Sequence, residues 1–271
     1  TVLTLWGNLP LDDPGTNEAL AIEDPAEFAA GLFRELLEKR GIVIYGHQRT
    51  HHTELATLST FTATAMAPSH GGSGGGARPL KSDQAITLAS YESKPLIEDV
   101  RVINKVSQNL HAEILLRLLG RERGNAGTVE GGLEVLRGFL TQAGIASDQY
   151  VFYDGSGLSR QNLATPHAIV QLLRYAGAQP WSAAYKSSFP VAGVDGSLSE
   201  RLKGPRLEKR VVAKTGSLGG VKTLSGYATT DSGQTVAFSI LSNNLNLPAK
   251  RVTDTIDGIV QAMLEDAPKQ R

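Results

Sequence analysis

The chain has 271 residues, 41% of them hydrophobic, enough to bury the core of one large or two small domains. Lys plus Arg and Asp plus Glu both number 27, so no net field draws nucleic acid or an anionic membrane surface. There is no cysteine, which excludes disulfides, thiolate catalysis and Cys-based zinc sites and fits an extracytoplasmic protein. No apolar run approaches the ~20 residues of a membrane helix, and no signal peptide is visible.

In chain order, Thr1 to Pro10 reads as a short strand followed by a Pro/Asp/Gly loop. Asp24-Pro25-Ala26-Glu27 is a helix start: Asp caps, Pro takes the first helical position, and Glu completes the capping box. Phe28, Leu32, Phe33, Leu36 and Leu37 then form an apolar stripe that Gly41 ends. Ile42 to Tyr45 reads as a short buried strand. His47, His51 and His52 have no carboxylate or cysteine cluster to frame a metal, and read as loop histidines rather than zinc ligands. Thr53 to Met66 is ambiguous, and the Gly71 to Gly76 run is a flexible linker, a loop tip or an engineered join. It is no phosphate loop, because no Gly-Lys-Ser/Thr follows it.

Ile97 to Leu119 has helical periodicity, with Gly120 as its stop. Inside it lies Lys105-Val106-Ser107-Gln108-Asn109-Leu110-His111-Ala112-Glu113. Ser107 and Asn109 would point well apart in an unbroken helix; in a break between helical turns both can aim into a cleft. A polar helix surface is the plainer alternative. Val129 to Ala143 is a second amphipathic helix, Asp154 to Arg160 a Gly/Ser loop, and Thr165-Pro166 opens a helix to Tyr175. Ser156 lacks the spacing of a nucleophile elbow. Ala192 to Leu198 is another turn-rich loop.

Val211-Val212-Ala213-Lys214-Thr215-Gly216-Ser217 reads as a strand with a polar end. Strand-like runs over Thr223 to Thr230 and Gln234 to Leu241 follow, with Asp231-Ser232-Gly233 as the hairpin between them. At a sheet edge, Lys214 and Thr215 would set an ammonium and a hydroxyl on one side of the strand, and Gly216 would let a ligand lie against the backbone. Such an edge suits a substrate that binds as an extra strand and ends in a carboxylate. An ordinary amphipathic strand would carry the same three residues. Pro248 to Leu264 closes the chain as a helix.

Ser-x-Asn followed by Lys-Thr-Gly is part of the motif set of serine β-lactamases and penicillin-binding proteins. The wider chain resembles the class C low-molecular-mass penicillin-binding proteins, the D-alanyl-D-alanine carboxypeptidase/endopeptidase family of penicillin-binding protein 4 type. The resemblance runs through Ser107 to Glu113, Asp154 to Arg160, Ala192 to Leu198, Lys214 to Leu218 and Leu224 to Tyr227, in the family's order. It implies an α/β (α+β) transpeptidase fold of the serine β-lactamase/DD-peptidase type, with an antiparallel sheet flanked by helices plus a helical subdomain. One feature departs from the pattern: no serine here has a lysine three residues on, so the Ser-x-x-Lys nucleophile motif is missing. The expectation is that residues 24–271 are the C-terminal portion of the penicillin-binding domain. Residues 1–23 would then be the end of an inserted domain, with the nucleophile on an N-terminal segment that is not in this chain.

The resemblance further implies acyl transfer on peptidoglycan stem peptides, acylation by β-lactam antibiotics, an extracytoplasmic bacterial setting and no cofactor. Ser107 would move a proton to the leaving amine, Asn109 would bind the substrate amide, and Lys214 would supply electrostatic stabilisation. Thr215, Gly216 and Ser217 would bind substrate, the two hydroxyls at its terminal carboxylate. A non-catalytic peptidoglycan- or partner-binding relative is the alternative of another class; a β-lactamase is a third reading, opposed by the Asp154 to Arg160 loop.

Overall fold

The computed structural model describes residues 22–50 and 89–265, with 7, 8, 10–13 and 15. The chain divides into two compact units, Thr1–Ser73 and Gly74–Arg271. The expected strand at Thr1 to Pro10, the Thr53 to Met66 stretch, the Gly71 to Gly76 run, His51 and His52 fall wholly or mainly outside the described residues.

In the first unit, helix α1 (Pro25–Glu38) begins as its sequence dictates, with the Asp24 carboxylate accepting the Glu27 N–H at 2.9 Å. Gly41, at φ +81°, ends it. The apolar stripe has no buried member, and Phe33 is 63% exposed. Ile42 to Tyr45 is not the buried strand expected from its composition. These residues form an open segment whose carbonyls are taken by a side chain rather than a ladder: Arg34 donates to Ile44 O at 2.9 Å and to Gly46 O at 2.5 Å.

The second unit is built on a three-stranded antiparallel sheet, β3 (Val211–Leu218), β4 (Val221–Thr229) and β5 (Thr235–Ser242), in spatial order β3-β4-β5. Helix α7 (Ala249–Leu264) lays Val252, Ile256, Val260 and Leu264 on one sheet face, against Val211, Ala213, Leu224, Ala228 and Phe238. The other face carries Val212, Tyr227 and Ala237, which pack against α5 (Pro166–Gly177) and α6 (Ser182–Ser188) through Leu173 and Phe189. The strand period of two thus divides one sheet between two apolar layers.

The helical part runs α2 (Leu96–Val106), α3 (Asn109–Arg123) and α4 (Val129–Gln142), then a short ribbon of β1 (Tyr150–Val151) and β2 (Leu163–Ala164). Gly120 does not stop the helix, which runs on to Arg123. Its bare Cα instead admits the neighbouring backbone: a Cβ there would lie 2.6 Å from Gly132 N. The helical run over Ile97 to Leu119 is two helices with the break at Ser107, the arrangement that a shared cleft for Ser107 and Asn109 called for.

Candidate active site

The break is local and sharp. Ser107 follows the last turn of α2 with φ 60° and ψ 49°, a left-handed conformation that non-glycine residues hold at a cost of about 1–2 kcal/mol. Gln108 then caps α3, its side-chain oxygen accepting the Leu110 N–H at 3.2 Å. Asn109 is the first residue of α3. Ser107 and Asn109 are both exposed and both line a cavity of about 1140 Å³.

The opposite wall is the polar end of β3. Lys214 Nζ donates to Ser107 Oγ at 2.7 Å and to the Thr215 carbonyl at 2.7 Å. Burial pulls the Lys214 ammonium below its ordinary pKa of 10.5, since a half-dry site disfavours the charged form. No carboxylate pairs with it among the described residues. Ser107, Asn109, Lys214, Thr215, Gly216 and Ser217 therefore meet in one cleft.

Three details differ from expectation. Lys214 and Thr215 are not on one side of the strand: Lys214 shares the Val212 face and Thr215 the Ala213 face, as alternation requires. Their partners differ accordingly, Thr215 Oγ1 donating to Ser197 Oγ at 2.7 Å. The cleft reaches both because it opens along the strand's edge. The room beside Gly216 is needed by β4, since a Cβ there would lie 2.3 Å from Thr223 Oγ1. Ser217 Oγ already accepts a hydrogen bond at 2.9 Å from Lys222, its cross-strand partner, which brings a second cation to this edge.

Register decides which backbone groups face the cleft. Ala192 N–H donates to Val211 O and Ala213 N–H to Pro190 O, so the odd-numbered residues of β3 bond outward, away from β4. The same parity turns the Thr215 and Ser217 backbone outward, beyond the end of the Pro190–Ala192 segment. Ser217 thereby offers an N–H to whatever occupies the cleft.

The Asp154 to Arg160 loop forms a side wall and is held rigidly for a loop. Asp154 accepts from Gly157 N at 2.7 Å, Ser159 N at 2.6 Å and the Asn162 amide at 2.7 Å. Arg160 reaches across to Gly219 O, at the β3–β4 turn, at 3.1 Å. The sequence assigns the Asp154 to Arg160 loop, Arg160 included, a supporting place in the cleft wall, and singles out no individual role for Glu113, Ser197 or Lys222. The signal for Glu113 was its spacing, four residues and one helical turn after Asn109. Among the described residues no group of three or more His, Asp or Glu could hold a metal ion, and no helix is long and apolar enough to cross a membrane.

Comparisons with known proteins agree with this geometry. A D-alanyl-D-alanine carboxypeptidase from an Actinomadura species is 34% identical over 252 residues, which is 91% of this chain and 42% of the relative. A D-alanyl-D-alanine carboxypeptidase from Haemophilus influenzae is 37% identical over 163 residues, 59% of this chain and 34% of the relative. Penicillin-binding protein 4 of H. influenzae, solved with a bound β-lactam, superposes with a TM-score of 0.70 at 26% identity, over 91% of this chain and 53% of that one. The chain thus spans less than half the length of the two curated relatives, and the β-lactamase/DD-peptidase fold expected from its motifs is the fold it has. Residues 73–263 match the D-Ala-D-Ala carboxypeptidase 3 (S13) family, and on that match the chain belongs to it.

Proposed function

We propose that this chain forms the greater part of the active site of a serine D-alanyl-D-alanine carboxypeptidase/endopeptidase acting on peptidoglycan stem peptides. The observation that carries the reading is the contact of Lys214 Nζ with Ser107 Oγ at 2.7 Å, beside an outward-facing Ser217 N–H. The attacking serine belongs to a Ser-x-x-Lys segment outside the 271 residues, which contain no such motif. That serine adds to the scissile carbonyl of D-Ala-D-Ala, D-Ala departs, and water hydrolyses the ester. A β-lactam enters the same path and stays attached as the acyl-enzyme.

Each polar group has a task in this scheme. Ser107 passes a proton to the departing amine, and the neighbouring Lys214 ammonium holds the Ser107 oxygen ready and favours developing negative charge. The Asn109 amide binds the peptide group of the substrate. The Ser217 N–H is one oxyanion donor and the nucleophile's own N–H the other. Thr215 and Ser217, with Lys222 behind Ser217, receive the terminal carboxylate. No step calls for a metal or organic cofactor. The substrate class sets an extracytoplasmic location, since stem peptides lie outside the cytoplasmic membrane.

The test uses the complete enzyme, with the upstream segment in place. Intact mass spectrometry should find a single penicillin adduct, and a stem pentapeptide should release D-Ala. No adduct would leave a binding protein; an adduct that hydrolyses at once, without D-Ala release from the peptide, would make it a β-lactamase.

A further inference from the structure

Ser107 keeps a left-handed backbone without being glycine, and such a conformation persists only where its surroundings over-determine it. The last turn of α2, immediately before it, is gripped at three points. Asn104 Nδ2 donates to the fully buried Ser188 Oγ at 2.8 Å. Lys105 Nζ donates to Asp195 Oδ2 at 2.5 Å. Gly196, at φ +56°, presses its backbone so close to Lys105 that a Cβ would lie 2.5 Å from Lys105 O.

Asp195 does more than receive Lys105. Its second oxygen, Oδ1, accepts the Val191 N–H at 2.9 Å. Val191 bridges to Val212 on β3, two residues before Lys214. The contacts therefore close a ring. From Ser107 the path runs two residues back to Lys105, across to Asp195, along to Val191, over to Val212, two residues on to Lys214, and back to Ser107 by the 2.7 Å hydrogen bond. One link of the ring is the contact that the chemistry uses. The Lys105–Asp195 pair is the link on the opposite side of the ring, and both its side chains are partly shielded from water, at 20% and 40% exposure.

We infer that Asp195, paired with Lys105, is a positioning residue that fixes where Ser107 Oγ stands relative to Lys214. The inference rests on the reading of Ser107 and Lys214 given above. Asp195 touches no reacting atom; it acts by tying the end of α2 to β3. Removing the tie lets Ser107 relax from its left-handed backbone toward an ordinary one, and the hydroxyl leaves the ammonium. Charge matters as well as shape, since Asn at 195 keeps an acceptor for Val191 N–H but no longer neutralises Lys105.

The test compares Asp195→Asn and Lys105→Met in the complete enzyme, each also combined with Ser107→Ala. Penicillin acylation by stopped flow separates the first-order step from the affinity that precedes it. The expected result is a loss on the order of 10²-fold in the acylation step, as small misplacements give, with affinity within about twofold and the same Tm within a few degrees. In the Ser107→Ala background neither substitution should reduce the rate further. A fall of equal size in both backgrounds, or no fall in either, overturns the inference. Should Asp195→Asn fail to fold, Lys105→Met decides alone, because Asp195 still accepts from Val191 there. A crystal structure of Lys105→Met gives a readout that needs no reactivity. Ser107 should leave positive φ and Lys214 Nζ should stand beyond about 3.5 Å from Ser107 Oγ; an unchanged geometry overturns the inference even if the protein never reacts with penicillin.

Discussion

Glu113 Oε1 accepts the backbone N–H of both Gly155, at 3.2 Å, and Ser156, at 3.0 Å, joining the helix that begins at Asn109 to the loop on the cleft's side wall. The approach is close enough that a Cβ at Gly155 would lie 2.6 Å from Ala112 O. Glu113→Ala leaves two donors without this partner and should cost about 1–3 kcal/mol, with Glu113→Gln costing less because an acceptor remains. Thermal unfolding gives the first number. Hydrogen exchange should show faster exchange confined to residues 154–160 in the Ala variant; protection equal to the parent's would show that the loop is held without Glu113.

Lys214→Ala should leave folding intact and lower the rate of penicillin acylation in the complete enzyme by about 10²–10³-fold, the usual scale for losing an electrostatic stabiliser. Stopped-flow acylation beside a circular-dichroism melt checks both halves. Acylation at the parent rate would take Lys214 out of the chemistry.

The pH dependence has a definite sign. Burial lowers the Lys214 pKa from 10.5, so a step that needs the ammonium fails as pH rises through the lowered value. The alkaline limb of the acylation profile should fall earlier than for an exposed lysine. Between the folded and unfolded pKa values the unfolded chain binds more protons, so this group makes the protein more stable as pH rises through that window. Lys214→Met should abolish that rise in a series of melts across the window.

Thr215→Val removes the hydroxyl bonded to Ser197 but keeps a β-branched strand residue of similar size. Its effect should appear as weaker recognition of substrates ending in a free carboxylate, read as a raised KM with kcat little changed. A substrate amidated at its C-terminus should be affected much less. Equal losses on both substrates would place the role of Thr215 elsewhere.

Strand β5 has one paired edge, to β4, and along its other edge no strand runs among the described residues. An edge strand with unpaired backbone N–H and C=O groups invites association. The 271 residues expressed alone should be poorly soluble and form no adduct with a labelled penicillin; on the proposed function, co-expression with a segment that supplies the Ser-x-x-Lys serine should restore solubility and adduct formation. A monomeric, cooperatively folding and penicillin-reactive isolated chain would mean that the nucleophile lies within it.

What the sequence made legible was local. Asp24-Pro25, Thr165-Pro166 and the Asp231–Gly233 hairpin announce themselves because capping and turn chemistry act over a few residues. The break at Ser107 was readable for the same reason: two side chains two apart can share a cleft only if the helix stops between them. The Ile42 to Tyr45 segment misled because its apolar composition ignores Arg34, ten residues upstream of Ile44, which claims the carbonyls a strand would use. Gly120 misled because a glycine that ends a helix and one that admits a neighbouring backbone look alike until the neighbour is known.

Long-range ties left no such trace. Lys105 and Asp195 are 90 residues apart and Thr215 and Ser197 18 apart, and nothing in either stretch names the partner in the other. The motif at Lys214-Thr215-Gly216 named the residues of the edge, but only the alternation of Val212 and Ala213 between two apolar layers reveals that Lys214 and Thr215 leave the strand in opposite directions. Helix α6 was missed because seven residues with Ser at both ends carry too little periodicity to register.

The segment Pro190 to Ala192, bonded to the first half of β3, makes the remaining edge a measured slot. From Lys214 to Leu218 it has about five residues, roughly 17 Å of ladder, closed at one end by chain that cannot move aside without unpairing Val211 and Ala213. A peptide laid along it meets a stop after a few residues. On the proposed function the sheet itself would act as a gauge of chain ends: it would accept the tip of an extended peptide and leave a long uninterrupted strand with nowhere to continue.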